Sequence, residues 1–160
     1  MRAVILSDSH GNTDMCDKAI SAAGKVDFII HLGDIARDCD YIESVYAPVP
    51  CISVVGNNDF FCGDARERVF DFDGHKLFLC HGHTRGVQRE KGALIRAAKE
   101  RGCETALFGH THIPFLERED GILLLNPGSC ACPRGGGKKT FAVLETEEKK
   151  LSAVIVDWVL

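Results

Sequence analysis

The 160-residue chain lacks a long uninterrupted hydrophobic run, and this absence argues against a membrane span or an export signal. The first apolar run stops at Ser7 and Asp8, so it is too short for a signal sequence and far too short to cross a bilayer. We therefore expect a cytoplasmic protein that does not bind membranes.

An excess of positive charge is also missing. The chain carries 19 Lys and Arg against 23 Asp and Glu, which gives a formal net charge of -4 at pH 7. Because binding of nucleic acid by counterion release needs clustered basic side chains, we do not expect a stable nucleic-acid complex. A polyanionic substrate would instead need metal ions or a few placed basic residues.

The eight cysteines lack the Cys-x-x-Cys spacing of many metal and redox sites. Several lie inside apolar runs, which favours reduced and buried thiols, and this interpretation is preferred even for the close pair Cys130 and Cys132. Internal repeats and linkers are absent, and the only low-complexity tract is the triple glycine at 135–137. One domain over residues 1–160 is expected.

The first half of the chain does contain a regular alternation of apolar runs and helical periodicity. Strands are predicted at Arg2 to Leu6, Val26 to Leu32 and Cys51 to Val55. Apolar residues at helical spacing predict two helices between them, around residues 15–23 and 41–46. This order predicts right-handed crossovers and a parallel sheet, whose carboxyl-terminal strand ends share one edge.

The second half has the pattern of hairpins. Two strands flank Asp73-Gly74, and a second hairpin turns at Asp120-Gly121. Between them we predict a helix within Val87 to Arg101 and a strand from Glu104 to Phe108, and two further strands complete the chain. The fold expected from both halves is of the α/β (α+β) class.

The polar tip after the first strand carries Asp8 and His10. On an extended backbone, residues two apart point to the same side, so a carboxylate oxygen and an imidazole nitrogen are expected to bind one divalent ion together. A solvated loop would be the better explanation of this pair if it stood alone. Similar tips, however, follow four more predicted strands.

Together the five tips predict a metal site. Each tip alone is typical of a turn, a cap or a surface histidine. Seven donors are too many for one ion, so we expect two ions that share a bridging carboxylate. Oxygen and imidazole donors favour Mn²⁺, Fe²⁺, Ni²⁺ or Zn²⁺ over Cu⁺ or Ca²⁺. The seven candidate ligands are Asp8, His10, Asp34, Asn57, His81, His110 and His112.

These motifs resemble those of the calcineurin-like metallophosphoesterase superfamily. The small size and the Asn-Pro-Gly-Ser loop at 126–129 are similar to YfcE-type phosphodiesterases, a group that also includes the scaffold protein Vps29. The matching segments are Asp-x-His at 8–10, Gly-Asp at 33–34, Gly-Asn-x-Asp at 56–59, His-Gly-His at 81–83 and Gly-His-Thr-His at 109–112.

The resemblance implies a single-domain, four-layer αββα sandwich of two mixed β-sheets flanked by helices. It implies two divalent ions, with Mn²⁺ expected first and Ni²⁺, Fe²⁺ or Zn²⁺ as alternatives. The ligands would be Asp8, His10 and His112 for one ion, Asn57, His81 and His110 for the other, and Asp34 as the bridge. The residues expected to take part in catalysis are His10, Asp34, Asn57 and His81.

One position departs from the family pattern. In many family phosphatases a histidine follows the Asn ligand and assists the leaving group, whereas this chain has Asn58 there. Because an amide supplies no proton at neutral pH, we expect hydrolysis of a small-molecule phosphodiester rather than general phosphomonoesterase activity. His83 remains a candidate acid, while His31 is expected to orient a ligand and His75 to lie on the surface.

Two other functions stay open at this point. A Vps29-like scaffold would bind a partner protein and has no need of a complete ligand set, so the seven retained donors favour the enzyme. An adaptor whose metal ions only hold the loops together would bind those ions without hydrolysing a substrate. A homo-oligomer also stays open.

Overall fold

The computed structural model describes residues 1–35, 37–60 and 65–158. In chain order its elements are β1 (Arg2–Leu6), α1 (Thr13–Ala23), β2 (Phe28–His31), α2 (Arg37–Tyr46), β3 (Cys51–Ser53), β4 (Glu67–Phe72), β5 (His75–Cys80), a 3₁₀ turn (His83–Arg85), α3 (Gly92–Glu100), β6 (Thr105–Leu107), β7 (Phe115–Glu119), β8 (Ile122–Asn126), β9 (Lys139–Glu147) and β10 (Lys150–Trp158).

Two mixed five-stranded sheets form the centre of the molecule. The first has the order β10-β9-β1-β2-β3, and β1, β2 and β3 are parallel, as predicted. The second has the order β4-β5-β6-β8-β7, and its parallel strands are β5, β6 and β8. The predicted hairpins are β4 with β5 and β7 with β8.

Alternate side chains of β1 enter two different cores. Ala3 and Ile5 face the second sheet, whereas Val4 and Leu6 face α1 and α2. Helix α3 covers the outer face of the second sheet and buries Leu94 there. The layers are therefore helices, sheet, sheet and helix, which confirms the predicted αββα sandwich. Burial of both faces explains why β1 is continuously apolar.

Several element boundaries differ from the predicted ones. β3 ends at Ser53 rather than Val55, because the chain leaves the sheet after its pairing with His31. α3 begins only at Gly92, since a 3₁₀ turn and the left-handed Gly86 occupy the segment before it. The apolar pattern predicts the last two strands at Thr140 to Leu144 and Leu151 to Val156. β9 and β10 extend beyond these bounds because they pair with each other along their whole lengths.

The cysteines are free thiols throughout the described part of the chain. Five of the seven described cysteines are buried, Cys51 is partly buried and Cys132 is exposed. Cys62 lies outside the described residues. Among the helices that the structure describes, none combines the length and the apolar character needed to cross a membrane.

Candidate metal centre

The parallel strands of both sheets end at one common edge, where the predicted ligands converge. The loop after β1 is tied to the loop after β2 by a hydrogen bond from Asp8 N to Gly33 O, 3.0 Å. A bond from His110 N to an oxygen of the Asp8 carboxylate, also 3.0 Å, joins the two sheets. The fold therefore brings donors from distant parts of the sequence to one place.

The backbone at this edge is not extended. The expectation that Asp8 and His10 project from an extended segment is wrong, because their φ angles are 55° and 49°. Non-glycine residues adopt this left-handed region at a cost of roughly 1 kcal/mol or more, and they cluster at functional sites. The candidate ligands with left-handed φ are Asp8, His10, Asp34, His110 and His112.

The first group of donors consists of Asp8, His10 and His112, whose ligand atoms lie within 4.8 Å of one another. His112 donates its Nδ1 proton to the carbonyl oxygen of Cys132 at 2.6 Å, so its Nε2 carries a lone pair. That Nε2 lies 3.3 Å from Asp8 Oδ1 and 3.2 Å from His10 Nε2. The group matches the predicted first metal site.

The second group consists of Asp8, Asp34 and His81, all of them buried. His81 donates from Nδ1 to the carbonyl oxygen of Leu32 at 2.7 Å, which leaves its Nε2 unprotonated. This Nε2 is 3.4 Å from Asp34 Oδ1 and 3.8 Å from Asp8 Oδ1. The lone pair of His81 Nε2 thus faces the ionised carboxylate of Asp34 without a proton between them.

A divalent ion fits this arrangement. Asp8 Oδ1 and His81 Nε2 are buried and have no hydrogen-bond partner among the described residues. Leaving a buried polar atom unsatisfied costs about 1–3 kcal/mol, and more when it is charged. A cation between the two atoms would satisfy both, and carboxylate with imidazole is a donor set suited to borderline metals.

The carboxylates of Asp8 and Asp34 each lie close to residues of both donor groups. Asp34 has Oδ1 near His81 and Oδ2 at 4.0 Å from His10 Nε2. Asp8 belongs to both donor groups. The sequence predicted a bridging position for Asp34 alone, and the geometry gives Asp8 a comparable position.

Two predicted ligands stand somewhat apart. The ring of His110 is 5.1 Å from that of His81, but its Nε2 lies 2.8 Å from the side-chain amide of Gln88. Asn57 is exposed, and its place as a ligand stays a prediction. Its neighbour Asn58 is the residue in contact with a candidate ligand.

Asn58 holds the carboxylate of Asp34 at both oxygens. The backbone N–H of Asn58 donates to Oδ1 at 3.0 Å, and its side-chain amide donates to Oδ2 at 2.6 Å. The carboxylate of Asp59 accepts from Asp34 N and Gly56 N. The segment after β3 therefore positions Asp34, a role that the motif alone did not reveal.

Burial dominates the ionisation of the cluster. It raises the pKa of Asp8 to about 7 and lowers the pKa of His81 to about 4. Burial also acts to raise the pKa of Asp34, but the His81 ring and the hydrogen bonds from Asn58 outweigh it and hold that pKa below its usual value. Near neutral pH the imidazole of His81 is therefore neutral, as a metal ligand must be.

A buried polar network supports the loop after β1 from behind. Ser9 Oγ lies 2.9 Å from His31 Nε2 and donates to Asp38, which also accepts from Gly11 N. His31 was predicted as an orienting residue because it precedes Gly33, whereas nothing in the sequence singled out Asp38. Asp38, His31 and Cys16 form a third group of metal-type donors, but His31 and Asp38 already make hydrogen bonds in this network.

The loop after β8 fixes Asp8 through its backbone. Ser129 Oγ donates to the carbonyl oxygen of Asp8 at 2.8 Å and accepts from the N–H groups of Ala131 and Cys132. The Asn-Pro-Gly-Ser segment is therefore structural. His75 bonds to Glu104 and the Lys149 carbonyl on the surface, as predicted.

The comparison with known families agrees with this site. The chain belongs to the calcineurin-like phosphoesterase superfamily, whose domain model matches residues 1–149. This is a family of metal-dependent phosphoesterases, so the predicted enzyme class is confirmed at the level of the family.

Two curated relatives are similar over nearly the whole chain. The probable metallophosphoesterase YsnB of Bacillus subtilis is 32% identical over 149 residues, which cover 92% of this chain and 85% of that protein. The phosphodiesterase MJ0936 of Methanocaldococcus jannaschii is 30% identical over 173 residues, which cover 98% of this chain and all of that protein (100%).

Solved structures show the same fold. A predicted phosphoesterase from Streptococcus pneumoniae superimposes with a TM-score of 0.79 at 28% identity, covering 98% of this chain and 88% of that one. Zinc-bound Vps29 from Entamoeba histolytica has a TM-score of 0.76 at 19% identity, covering 98% and 99%. At that identity the Vps29 likeness shows the fold alone.

Proposed function

We propose that this protein is a metal-dependent phosphodiesterase with a dinuclear centre. The observation that carries the proposal is the pair of unpartnered buried atoms, Asp8 Oδ1 and His81 Nε2, between two donor groups that share Asp8. The relative named a phosphodiesterase supports the reaction class. We also propose a small-molecule substrate, a cytoplasmic location and a single domain over residues 1–160.

The donor groups suggest how two ions would be held. Bound divalent ions would supply a nucleophile at neutral pH and neutralise negative charge on a phosphoryl group. Mn²⁺ is the metal we expect, with Ni²⁺, Fe²⁺ and Zn²⁺ as alternatives. The proposed ligands are Asp8, His10 and His112 for one ion and Asn57, His81 and His110 for the other, with Asp34 as the bridge and Asp8 placed to assist it.

The absence of an acid at position 58 favours a diester with a good leaving group. His83, the other candidate acid, has its ring 5.4 Å from that of His81, and its Nδ1 is buried without a hydrogen-bond partner among the described residues. The backbone carbonyls that accept from Nδ1 of His81 and His112 fix the tautomer of each ring. Each ring therefore has a lone pair on Nε2 that is available to a metal ion. Asn58 steadies Asp34 but has no acidic proton to give to a leaving oxygen. A leaving group that is stable as an anion does not need that proton.

A protein-binding scaffold is the second candidate, because Vps29 has the same fold. Metal-type donors alone do not separate the two functions, because the Vps29 structure itself holds zinc. The enzyme is favoured because the relative named a phosphodiesterase is 30% identical, against 19% for that Vps29.

The deciding experiment removes the metal and restores Mn²⁺, Ni²⁺, Zn²⁺ or Mg²⁺ one at a time. Turnover of bis-p-nitrophenyl phosphate is then compared with that of p-nitrophenyl phosphate. We expect the diester to be preferred and both Asp34→Asn and His110→Ala to abolish turnover. His75→Ala is the matched control on the surface and should keep full activity. Preference for the monoester would contradict the diesterase, and no turnover with any ion would favour the scaffold.

A further inference from the structure

A pocket of about 330 Å³ opens next to the candidate metal centre. Val87 and Phe108 are fully buried and form its floor. Phe115 and the half-exposed Ile113 line its sides. The pocket is thus mostly apolar, in contrast to the polar cluster beside it.

The pocket adjoins the proposed site through Gln88 and the His110 loop. Phe108 is followed directly by Gly109 and His110, and Ile113 directly follows His112. Gln88 lines the pocket and also contacts the His110 ring through its amide. A substrate whose phosphate lies among the donor groups would therefore extend a neighbouring substituent into this pocket.

Two polar side chains stand among the apolar walls. The Lys91 ammonium lies 5.6 and 5.3 Å from the ring centroids of Phe108 and Phe115, held by the Val87 carbonyl. Gln88 uses one amide atom for His110, and its other amide atom has no partner within the described residues. Apolar walls with a few polar groups are typical of sites for flat heteroaromatic ligands.

We propose that this pocket binds the nucleobase of a nucleoside phosphodiester whose phosphate lies at the metal centre. The inference rests on the proposed function and adds the class of substrate. The faces of a base match the apolar walls, and its polar edge offers hydrogen bonds to Gln88 and Lys91. A plain phenyl group would offer no hydrogen bond to either of those side chains.

Calorimetric binding to the Mn²⁺-loaded protein tests the inference without hydrolysis. Adenosine 5′-monophosphate is compared with ribose 5-phosphate, which has the phosphate and sugar but no base, and with phenyl phosphate. Because contacts to one base contribute roughly 1–3 kcal/mol, we expect the nucleotide to bind about 5- to 150-fold more tightly than ribose 5-phosphate. Equal affinities would overturn the proposal, and equally tight phenyl phosphate would overturn the assignment to a nucleobase.

Three variants test whether the tighter binding of the nucleotide arises in this pocket. Ile113→Trp fills the pocket from its exposed side and should remove the advantage of the nucleotide, and Lys91→Met should reduce it. Val154→Trp adds the same bulk at a half-exposed residue of β10 and should preserve the advantage. An unchanged advantage in Ile113→Trp would overturn the proposed location. Base-dependent binding without diester turnover would retain the pocket and contradict the phosphodiesterase, so the two failures are distinguishable.

Discussion

At the scale of single residues, the site depends on which ring nitrogen of each histidine carries a proton. The carbonyl oxygens of Leu32 and Cys132 take the Nδ1 protons of His81 and His112, and both Nε2 atoms are left facing Asp8. The sequence identifies the histidines through their motifs. It cannot identify the acceptors, because a backbone carbonyl belongs to every residue type.

Asn58 gives the first prediction. Asn58→His should raise the ratio of monoester to diester turnover at least tenfold, because general acid catalysis typically contributes roughly 10²–10⁴-fold. Asn58→Ala should lower turnover of both esters, since Asp34 loses its 2.6 Å side-chain donor. Steady-state kinetics on both p-nitrophenyl substrates measure the ratio. The same ratio in the His and Ala variants would show that the missing acid is not the limitation.

The ionisation of Asp8 predicts how metal binding depends on pH. Burial raises the pKa of Asp8 to about 7, so below that pH the metal-free carboxyl group is protonated and must release its proton when an ion binds. The apparent affinity should therefore rise with pH, by at least about tenfold per unit, and level off above about pH 7. His81 has a pKa lowered to about 4 and releases no proton in this range.

Calorimetric titration with Mn²⁺ measures this slope. Buffers from pH 5 to 8 bracket the pKa of about 7. Asp8→Asn removes the titrating group, so any residual binding should show a flatter slope. An affinity of the unchanged protein that does not vary below pH 7 would contradict the role of Asp8 as a ligand.

At the scale of elements, the loops after the strands carry the candidate ligands, and the strands determine where those loops lie. The hairpins at Asp73-Gly74 and Asp120-Gly121 could be predicted because glycine follows aspartate between apolar runs. The left-handed turns at the ligands could not, since they arise from contacts between loops that are distant in sequence. The extended tip predicted at Asp8 and His10 is wrong for this reason.

Close approach of two loops gives a prediction at this scale. A Cβ atom at Gly109 would lie 1.9 Å from Ser7 Oγ and 2.9 Å from Asp8 Oδ2. Gly109→Ala should therefore push apart the loops after β1 and β6, at a cost of roughly 1–3 kcal/mol in unfolding free energy, and lower Mn²⁺ affinity more than tenfold. Denaturant unfolding and metal titration measure the two effects.

Gly92→Ala is the matched control for that substitution. A Cβ at Gly92 meets only Arg96 at 3.5 Å, which is ordinary contact, and alanine favours the helix. This variant should bind Mn²⁺ normally and be at least as stable as the unchanged protein. Normal metal affinity in Gly109→Ala would mean that the loops tolerate separation.

At the scale of the whole molecule, three apolar cores hold the two sheets and their helices so that the ligand loops meet. Fold class, the parallel strands and the donor types were predictable from apolar periodicity and motifs. The order of the second sheet was not, because β8 pairs in parallel with β6 although β7 lies between them in sequence. Asn57 also remains a prediction, as its side chain is exposed.

Removal of metal should destabilise the whole fold. Without ions the buried carboxylates of Asp8 and Asp34 face each other, and the left-handed ligand residues lose the contacts that compensate their strain. An ion at about 100 times its Kd stabilises a protein by about 2.7 kcal/mol, so chelation should lower Tm by about 5–10 °C. Scanning calorimetry with and without chelator measures the shift, and Asp34→Asn should respond much less.

The most direct test of the account is a crystal structure with Mn²⁺, in which anomalous scattering locates each ion. We predict two peaks at the shared edge of the sheets, one between Asp8 and His112 and the other beside His81, with Asp34 in contact with both. A single peak, or ions bound away from Asp8 and Asp34, would contradict the dinuclear centre.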